Sequence, residues 1–234
     1  MRIPLTKYGW PQVVVFPGVL LVAMIVFAVG TGGFLPLWAF IFIEMILAGA
    51  LVLSLAFFRD PLRSCPSDTS LLLSPADGRV TDIEISEDNG FIDGTALRIG
   101  IFLSIFNTHI NRMPCNVRVE DITYKKGKYK NALSLESACV NESNALSLTR
   151  IDSPRDRLVV RQISGAIARR IVCETKAGDE LAAGDKFGMI KYGSRTELYV
   201  TACDPKYEIK CLVQKGDKVK AGLTPLVRYE KYHQ

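Results

Sequence analysis

Two long apolar runs near the N-terminus constrain this chain more than any other feature. Val13 to Val29 is apolar apart from one proline and one glycine, and Phe34 to Phe58 contains a single acidic residue, Glu44. At 1.5 Å per residue the second run can cross the roughly 30 Å hydrocarbon core of a bilayer, and the first lies at the short end of the spanning range. Only four uncharged residues separate the runs. The sequence therefore predicts a hydrophobic helical hairpin within residues 1–63.

Charges on either side of the hairpin predict its orientation. Two basic residues precede the first run, and Arg59 and Arg63 follow the second. Because positive loops stay in the cytoplasm, we expect a cell-membrane protein whose residues 64–234 lie on the cytoplasmic side. Glu44 leaves a shallow, interfacial hairpin open as an alternative, since an ionised carboxylate at mid-bilayer costs about 2.5 kcal/mol or more.

Residues 64–234 have a different pattern, in which short β-prone runs alternate with turn residues and no long amphipathic helix occurs. The predicted runs are 79–85, 96–103, 117–124, 158–163, 168–174, 197–202, 207–213 and 226–229. This pattern predicts a mainly β domain, either a sandwich or a barrel.

A short internal repeat refines that prediction. Gly178 to Gly184 recurs, 38 residues later, as Gly216 to Gly222, and each copy begins with Gly-Asp and ends with glycine. Such sequences are typical of tight corners between short strands. We expect a pseudo-duplicated C-terminal part similar to the barrel-sandwich hybrids of biotinyl and lipoyl carriers, with two independent hairpins as the alternative.

Charge and cysteine content argue against two classes of partner. The net charge of +5 is spread too thinly for the clustered basic face of a nucleic-acid-binding protein. The six cysteines are scattered without a Cys-x-x-Cys pair, so the sequence predicts no zinc or other metal site. Buried, reduced cysteines are the expected arrangement.

Three short polar segments could carry chemistry. Residues 74–78 read Ser-Pro-Ala-Asp-Gly and form a turn before a strand, and residues 191–196 contain the pair Gly193-Ser194. The segment 106–114 contains His109, the only histidine away from the C-terminus. Imidazole acid-base chemistry would therefore use His109, although each segment alone is a weak signal.

Taken together, the segments resemble the phosphatidylserine decarboxylases, and in particular their short bacterial class. The likeness rests on Ser-Pro-Ala-Asp-Gly at 74–78, Asn-Thr-His-Ile-Asn-Arg-Met-Pro at 107–114 and Phe-Gly-Met-Ile-Lys-Tyr-Gly-Ser-Arg at 187–195. The order and approximate spacing match the family, and the likeness extends over essentially the whole chain. The resemblance implies a lyase that converts phosphatidylserine to phosphatidylethanolamine and CO2 at a phospholipid membrane.

The resemblance also implies a proenzyme that makes its own cofactor. Attack of the Ser194 hydroxyl on the Gly193 carbonyl would divide the chain into a β chain, residues 1–193, and an α chain, residues 194–234, which stay together as a heterodimer. Ser194 would become a covalent pyruvoyl group. Its carbonyl forms a Schiff base with the substrate amine and serves as electron sink, so that no pyridoxal phosphate is required.

Other site residues follow from the resemblance with one departure. His109 is the candidate to protonate the substrate carbanion and to assist cleavage, with Asp77 orienting it. Long-class relatives carry a second histidine, part of a processing triad, where this chain has Arg112. Either His109 is the processing base, or processing depends on strain and oxyanion stabilisation. Arg112, Lys191 and Arg195 are candidates to bind the substrate carboxylate or phosphate.

Two other functions remain as alternatives. A non-enzymatic membrane adaptor with a biotinyl-like domain would explain the hairpin and the repeat, but not the segment 107–114 or the pair Gly193-Ser194. A pyruvoyl decarboxylase of another serine-bearing lipid, or of a small amino acid, would explain all three motifs. The hairpin favours a lipid, because anchoring raises the effective concentration of a membrane substrate. The sequence leaves the oligomeric state open.

Overall fold

The computed structural model describes residues 5–31, 33–88, 91–92, 94–128, 130, 140–165, 170–191, 194–201 and 207–232. The chain divides into two compact units, Met1–Leu62 and Arg63–Gln234.

The first unit is a helical hairpin. After a short 3₁₀ turn at Lys7–Gly9, helix α1 spans Gln12–Thr31 and helix α2 spans Leu37–Phe57. The rings of Phe27 and Phe40 stack between the helices with centroids 5.7 Å apart. Both helices are long and apolar enough to cross a membrane. The predicted hairpin is confirmed, and its composition suggests membrane association.

The second unit is built from β-strands. Within the described residues they are β1 (Leu71–Leu73), β2 (Gly78–Asp88), β3 (Gly94–Leu103), β4 (Ile110–Arg112), β5 (Val117–Lys125), β6 (Ser143–Arg150), β7 (Arg157–Ser164), β8 (Arg170–Cys173), β9 (Glu180–Leu181), β10 (Lys186–Lys191), β11 (Ser194–Thr201), β12 (Tyr207–Cys211), β13 (Lys218–Val219) and β14 (Pro225–Lys231). The predicted mainly β fold is confirmed.

One large antiparallel sheet dominates this unit. Its strand order is β13-β2-β3-β11-β7-β6-β5-β9, and it curls into a half-barrel. Two three-stranded sheets, β1-β14-β12 and β4-β10-β8, accompany it. Side chains alternate between the faces of a strand. The inward positions of the central strands accordingly form the apolar core, with Ile99 and Ile101 of β3, Val160 of β7, and Leu198 and Val200 of β11 all fully buried.

The repeat found in the sequence has the same structure in both copies. The amide of Gly178 donates to the carbonyl of Val119 in β5, and the amide of Gly216 donates to that of Val80 in β2. The two glycines have φ of +92° and +102°, a conformation that residues with a side chain rarely adopt. Each copy continues into a two-residue strand, which pairs with the strand that accepts the glycine's hydrogen bond: β9 pairs with β5, and β13 pairs with β2. The predicted pseudo-duplication is confirmed.

The duplication extends to a pair of segments that the sequence analysis did not match, residues 74–80 and 113–119. Their sequences, Ser-Pro-Ala-Asp-Gly-Arg-Val and Met-Pro-Cys-Asn-Val-Arg-Val, share only three residues. In the first, Asp77 accepts a hydrogen bond from the amide of Ala221 (2.8 Å), and in the second Asn116 accepts one from Ala183 (2.9 Å). Asp77 therefore supports a repeat loop in a way that does not require its charge.

Candidate active site

The three polar segments meet at one end of β11. Strand β4 pairs with β10, which brings the segment 107–114 beside the segment that precedes Ser194. The carbonyl of Pro75 accepts hydrogen bonds from the backbone amide of Arg112 (3.0 Å) and from Nδ2 of Asn111 (3.3 Å). The same Asn111 nitrogen donates to Oγ1 of Thr196 (3.1 Å). The fold thus joins residues that are far apart in the chain.

Ser194 is the first residue of β11 and is completely buried. It pairs with Leu103 of β3 on one side and with Ser164 of β7 on the other. Among the described residues, neither serine hydroxyl has a hydrogen-bond partner. Directly opposite residues of an antiparallel pair have Cβ atoms about 4.5–5.5 Å apart on the same face. Two buried, unpartnered hydroxyls therefore face the same space. Gly193 lies outside the described residues.

Beneath this space, the inward face of the sheet changes from apolar to polar. A buried chain of amides runs across three strands, in which Asn144 donates to Gln162 (3.2 Å) and Gln162 donates to Asn111 (2.9 Å). Asn111 in turn donates to Thr196, two residues from Ser194. Fully connected buried networks of this kind make a site rigid. The polar end of the sheet is a fixed floor for the candidate site.

His109 is fully buried and reaches the same end of the sheet. His109 comes two residues after the turn at 104–107, and that turn follows Leu103, which pairs with Ser194. Nδ1 of His109 lies 3.0 Å from the carbonyl oxygen of Asn107. Because a carbonyl oxygen can only accept, Nδ1 carries the hydrogen and Nε2 of the neutral ring carries the lone pair. This tautomer suits a group that accepts a proton at Nε2 and returns it.

Asp77 forms a close ion pair with Arg63, a residue that the sequence analysis counted only as a charge beside the hairpin. Nη1 and Nη2 of Arg63 donate to the two oxygens of Asp77 at 2.6 and 2.7 Å. Nη1 also donates to the carbonyl of Ala221. Both charged side chains are almost completely buried, with 6% and 11% of their surface exposed. The role of Asp77 in orienting His109 stays a prediction.

The Arg63→Gln substitution should destabilise the second unit. It leaves the buried Asp77 carboxylate without a cation, and removing one partner of a buried ion pair costs about 3 to 5 kcal/mol. We expect a loss of that size in the free energy of unfolding, measured by denaturant titration of chains that also carry Ser194→Ala. Arg79→Gln, at an exposed arginine bonded to the Gly216 carbonyl, should change it by less than about 0.5 kcal/mol. Equal effects would contradict a specific Arg63–Asp77 pair.

Three cationic residues were predicted to contact the substrate, and they lie in different surroundings. Arg112 is buried and donates to the carbonyl of Gly184 (3.0 Å). Lys191 is buried at the end of β10, opposite Arg170 of β8, and both burial and the charge of Arg170 lower its pKa. Arg195 points to the other face of the sheet from Ser194, where it contacts Asp82 and Glu197. Substrate binding by these residues stays a prediction.

Comparison with known proteins gives a consistent result. The family model for phosphatidylserine decarboxylase matches residues 52–226. A phosphatidylserine decarboxylase proenzyme from Ralstonia nicotianae is 37% identical over 97% of this chain and 96% of its own. The proenzyme of the same name from Rhodopirellula baltica is 39% identical over 98% and 90%. That from Carboxydothermus hydrogenoformans is 42% identical over 74% and 78%.

Proposed function

Because this chain belongs to the phosphatidylserine decarboxylase family, we propose that it cuts itself between Gly193 and Ser194 and decarboxylates phosphatidylserine with the resulting pyruvoyl group. Family membership makes the chain a decarboxylase of phospholipid metabolism, and the word proenzyme in the names of its relatives implies processing. One observation supports the proposed cleavage site most strongly. Ser194 presents a buried hydroxyl at the polar end of the sheet, and this hydroxyl has no hydrogen-bond partner among the residues that the structure describes.

The residues of the site suit self-cleavage. The Ser194 oxygen bonds to the Gly193 carbonyl carbon while the peptide C–N bond breaks, which converts the amide to an ester. No hydrogen bond of the hydroxyl has to be given up first, since it has none within the described residues. His109 takes the hydroxyl proton at Nε2 and gives it to the nitrogen of residue 194 as the C–N bond breaks, which leaves a free amine there. Loss of the Ser194 α-proton then expels the Gly193 carboxylate, and water converts the remaining dehydroalanine to the pyruvoyl group and ammonia.

In the decarboxylation, a pyruvoyl group formed from Ser194 would supply the electron sink. His109 would give a proton from Nε2 to the substrate carbon that loses CO2. The amide network that ends at Thr196 holds the strand beneath the reacting atoms. Lys191 and Arg170 lie side by side on neighbouring strands, where an anionic group would relieve their repulsion. Together with Arg112, Lys191 is our candidate to bind the substrate phosphate or carboxylate.

The two parts of the chain predicted from the sequence have different proposed roles. We assign anchoring at the cell membrane to residues 1–63 and catalysis on the cytoplasmic side to residues 64–234. The catalytic part is cut into chains 1–193 and 194–234, which remain a heterodimer. A non-enzymatic adaptor does not account for the family match, so we set that alternative aside. The CO2-release assay described below distinguishes phosphatidylserine from another serine-bearing lipid as the substrate.

Mass spectrometry of the purified wild-type protein tests the proposal. We expect two chains in place of one, with the smaller lighter than residues 194–234 by the mass of one ammonia and blocked to N-terminal sequencing. The protein should release CO2 from vesicles that contain carboxyl-labelled phosphatidylserine. A wild-type protein that stays intact would refute self-cleavage. A cut protein that releases CO2 only from a different serine lipid would change the substrate.

A further inference from the structure

Arg195, the residue after the proposed cofactor precursor, is locked in place on the opposite face of the sheet. Its side chain is 1% exposed. Nη2 donates to Oδ1 of Asp82 (2.6 Å), Nε to Oε1 of Glu197 (2.9 Å) and Nη1 to Oγ1 of Thr81 (3.1 Å). All three guanidinium nitrogens therefore have a partner, and two of the partners are carboxylates. A planar guanidinium held in this way has one orientation.

A β-bulge brings Asp82 to this face. In the pairing of β2 with β3, Val80 lies opposite Ile101 and Asp82 lies opposite Gly100, which leaves Thr81 as an extra residue. Without the bulge, Thr81 would pair with Gly100 and Asp82 would point into the core as Val80 does, because residues two apart in a regular strand share a face. The bulge thus places a carboxylate where Arg195 can reach it.

Gly100 leaves the space that the guanidinium occupies. A Cβ atom added to it would lie 2.6 Å from Oδ2 of Asp82 and 2.8 Å from Cζ of Arg195. Both distances are shorter than van der Waals contact, so any side chain here would displace the pair. Burial raises the pKa of Asp82, but hydrogen bonds from Arg195 and Thr81 outweigh it and hold the pKa below its ordinary value. The pair is therefore charged at neutral pH.

Cleavage would change what holds residue 194. In the intact chain this residue continues from Gly193 and is paired with strands on both sides. A pyruvoyl group has no N–H, so the donor that residue 194 contributed to the sheet is lost, and chain ends fray unless they are tied down. Arg195 then becomes the first residue that retains both its backbone pairing and a buried side chain. Its partner Asp82 belongs to the other product of the cut.

We infer that Arg195 is a positioning residue, which anchors the new end of the α chain to Asp82 of the β chain and so holds the pyruvoyl group in place. This inference rests on the proposed self-cleavage. In the cut protein, the Arg195–Asp82 pair replaces the lost peptide bond as the contact that keeps the cofactor in position.

The test compares Arg195→Lys with Arg98→Lys. Lysine keeps the positive charge but lacks the planar set of N–H donors of the guanidinium group. Arg98 is the matched control, because it contacts the same two carboxylates, Asp82 (3.4 Å) and Glu197 (3.2 Å), from β3, a strand that is not cut. We expect Arg195→Lys to be cut, because β11 is still continuous when cleavage takes place. Its kcat should then fall about 10- to 100-fold with little change in KM, because a 1 Å displacement of reacting groups costs on the order of 100-fold in rate. Arg98→Lys should keep kcat within about threefold, because lysine can still pair with Glu84 and Glu197 and because β3 stays continuous after the cut.

Hydrogen exchange at the amides of residues 195–198, which exist in both the cut and the uncut chain, gives a second readout. Arg195→Lys should increase exchange in the cut protein and leave it unchanged in the uncut Ser194→Ala chain. If Arg195→Lys does not accumulate as folded protein, Asp82→Asn, which keeps the shape of the carboxylate, must show the same pattern.

Three results would overturn the inference. A higher KM with normal kcat would assign Arg195 to substrate binding. Equal increases in exchange in the cut and uncut chains would make the ion pair purely structural, and equal losses of kcat in Arg98→Lys would make the effect unspecific. A wild-type protein that is never cut would refute the proposed function itself, which is a different result from any of these.

Discussion

Replacing Ser194 with alanine should leave the chain intact at 25.9 kDa and abolish decarboxylation to background. Alanine supplies neither an oxygen to attack the Gly193 carbonyl nor a leaving group for the elimination, so no pyruvoyl group can form. The fold should survive, because the lost hydroxyl is buried and has no partner within the described residues. Removing it should raise the free energy of unfolding by up to about 1 kcal/mol. Gel electrophoresis, intact mass and CO2 release measure these effects.

Ser164→Ala is the matched control. Ser164 lies directly opposite Ser194 and also carries a buried hydroxyl without a described partner, but it contributes no atom to the bonds that change. We expect this variant to be cut to completion, with activity reduced by less than about tenfold, the value of one weak hydrogen bond at most. Cleavage of the Ser194→Ala chain at the same bond would contradict the assignment of Ser194.

The second large effect is expected for His109→Gln. Glutamine preserves much of the volume and can still donate a hydrogen bond to the Asn107 carbonyl, but it cannot exchange a proton at neutral pH. Positioned general acids and bases contribute about 10²- to 10⁴-fold, and we expect kcat for decarboxylation to fall by that factor. Arg112 occupies the position of the second histidine of long-class relatives, so His109 is the candidate for the base in self-cleavage. If His109 is that base, self-cleavage should slow as well.

Two measurements separate these roles. Pulse-labelling followed by gel electrophoresis gives the rate of cleavage, and CO2 release normalised to the amount of pyruvoyl group, titrated with borohydride, gives the rate per active site. His233→Gln, at the other histidine of the chain, is the control and should behave like wild type in both. Normal kcat in His109→Gln would remove His109 from the decarboxylation, and normal cleavage would leave processing to strain and oxyanion stabilisation.

The sequence predicted the parts of the fold that have a strong local pattern. The apolar runs of the hairpin, the alternation in β3 and β11 and the Gly-Asp corners each depend on neighbouring residues, and each is confirmed. Strand β6 was not predicted, because its sequence, Ser-Asn-Ala-Leu-Ser-Leu-Thr-Arg, is rich in residues that are poor strand formers. This strand is specified by pairing with β5 and β7, which no local window contains.

The candidate site shows the same division. Its three motifs were recognised, but Arg63 was not, because pairing across 14 residues to Asp77 leaves no periodic signal. A usable signal did exist for the floor of the site. In β7 the inward residues Leu158 and Val160 are followed by Gln162 and Ser164, and such a change from apolar to polar at a strand end marks buried polar chemistry.

The central place of β11 has a consequence for the lifetime of the protein. This strand lies between β3 and β7, with backbone pairing on both sides, and β14 from the same C-terminal part lies between β1 and β12. In the proposed cut protein, β11 of the smaller chain would lie between two strands of the larger one, so the two chains could not separate unless the sheets came apart. Refolding would then require two chains to associate, one of them with an altered end. Such a protein would fold once, and its lifetime would be set by the height of its unfolding barrier rather than by an equilibrium.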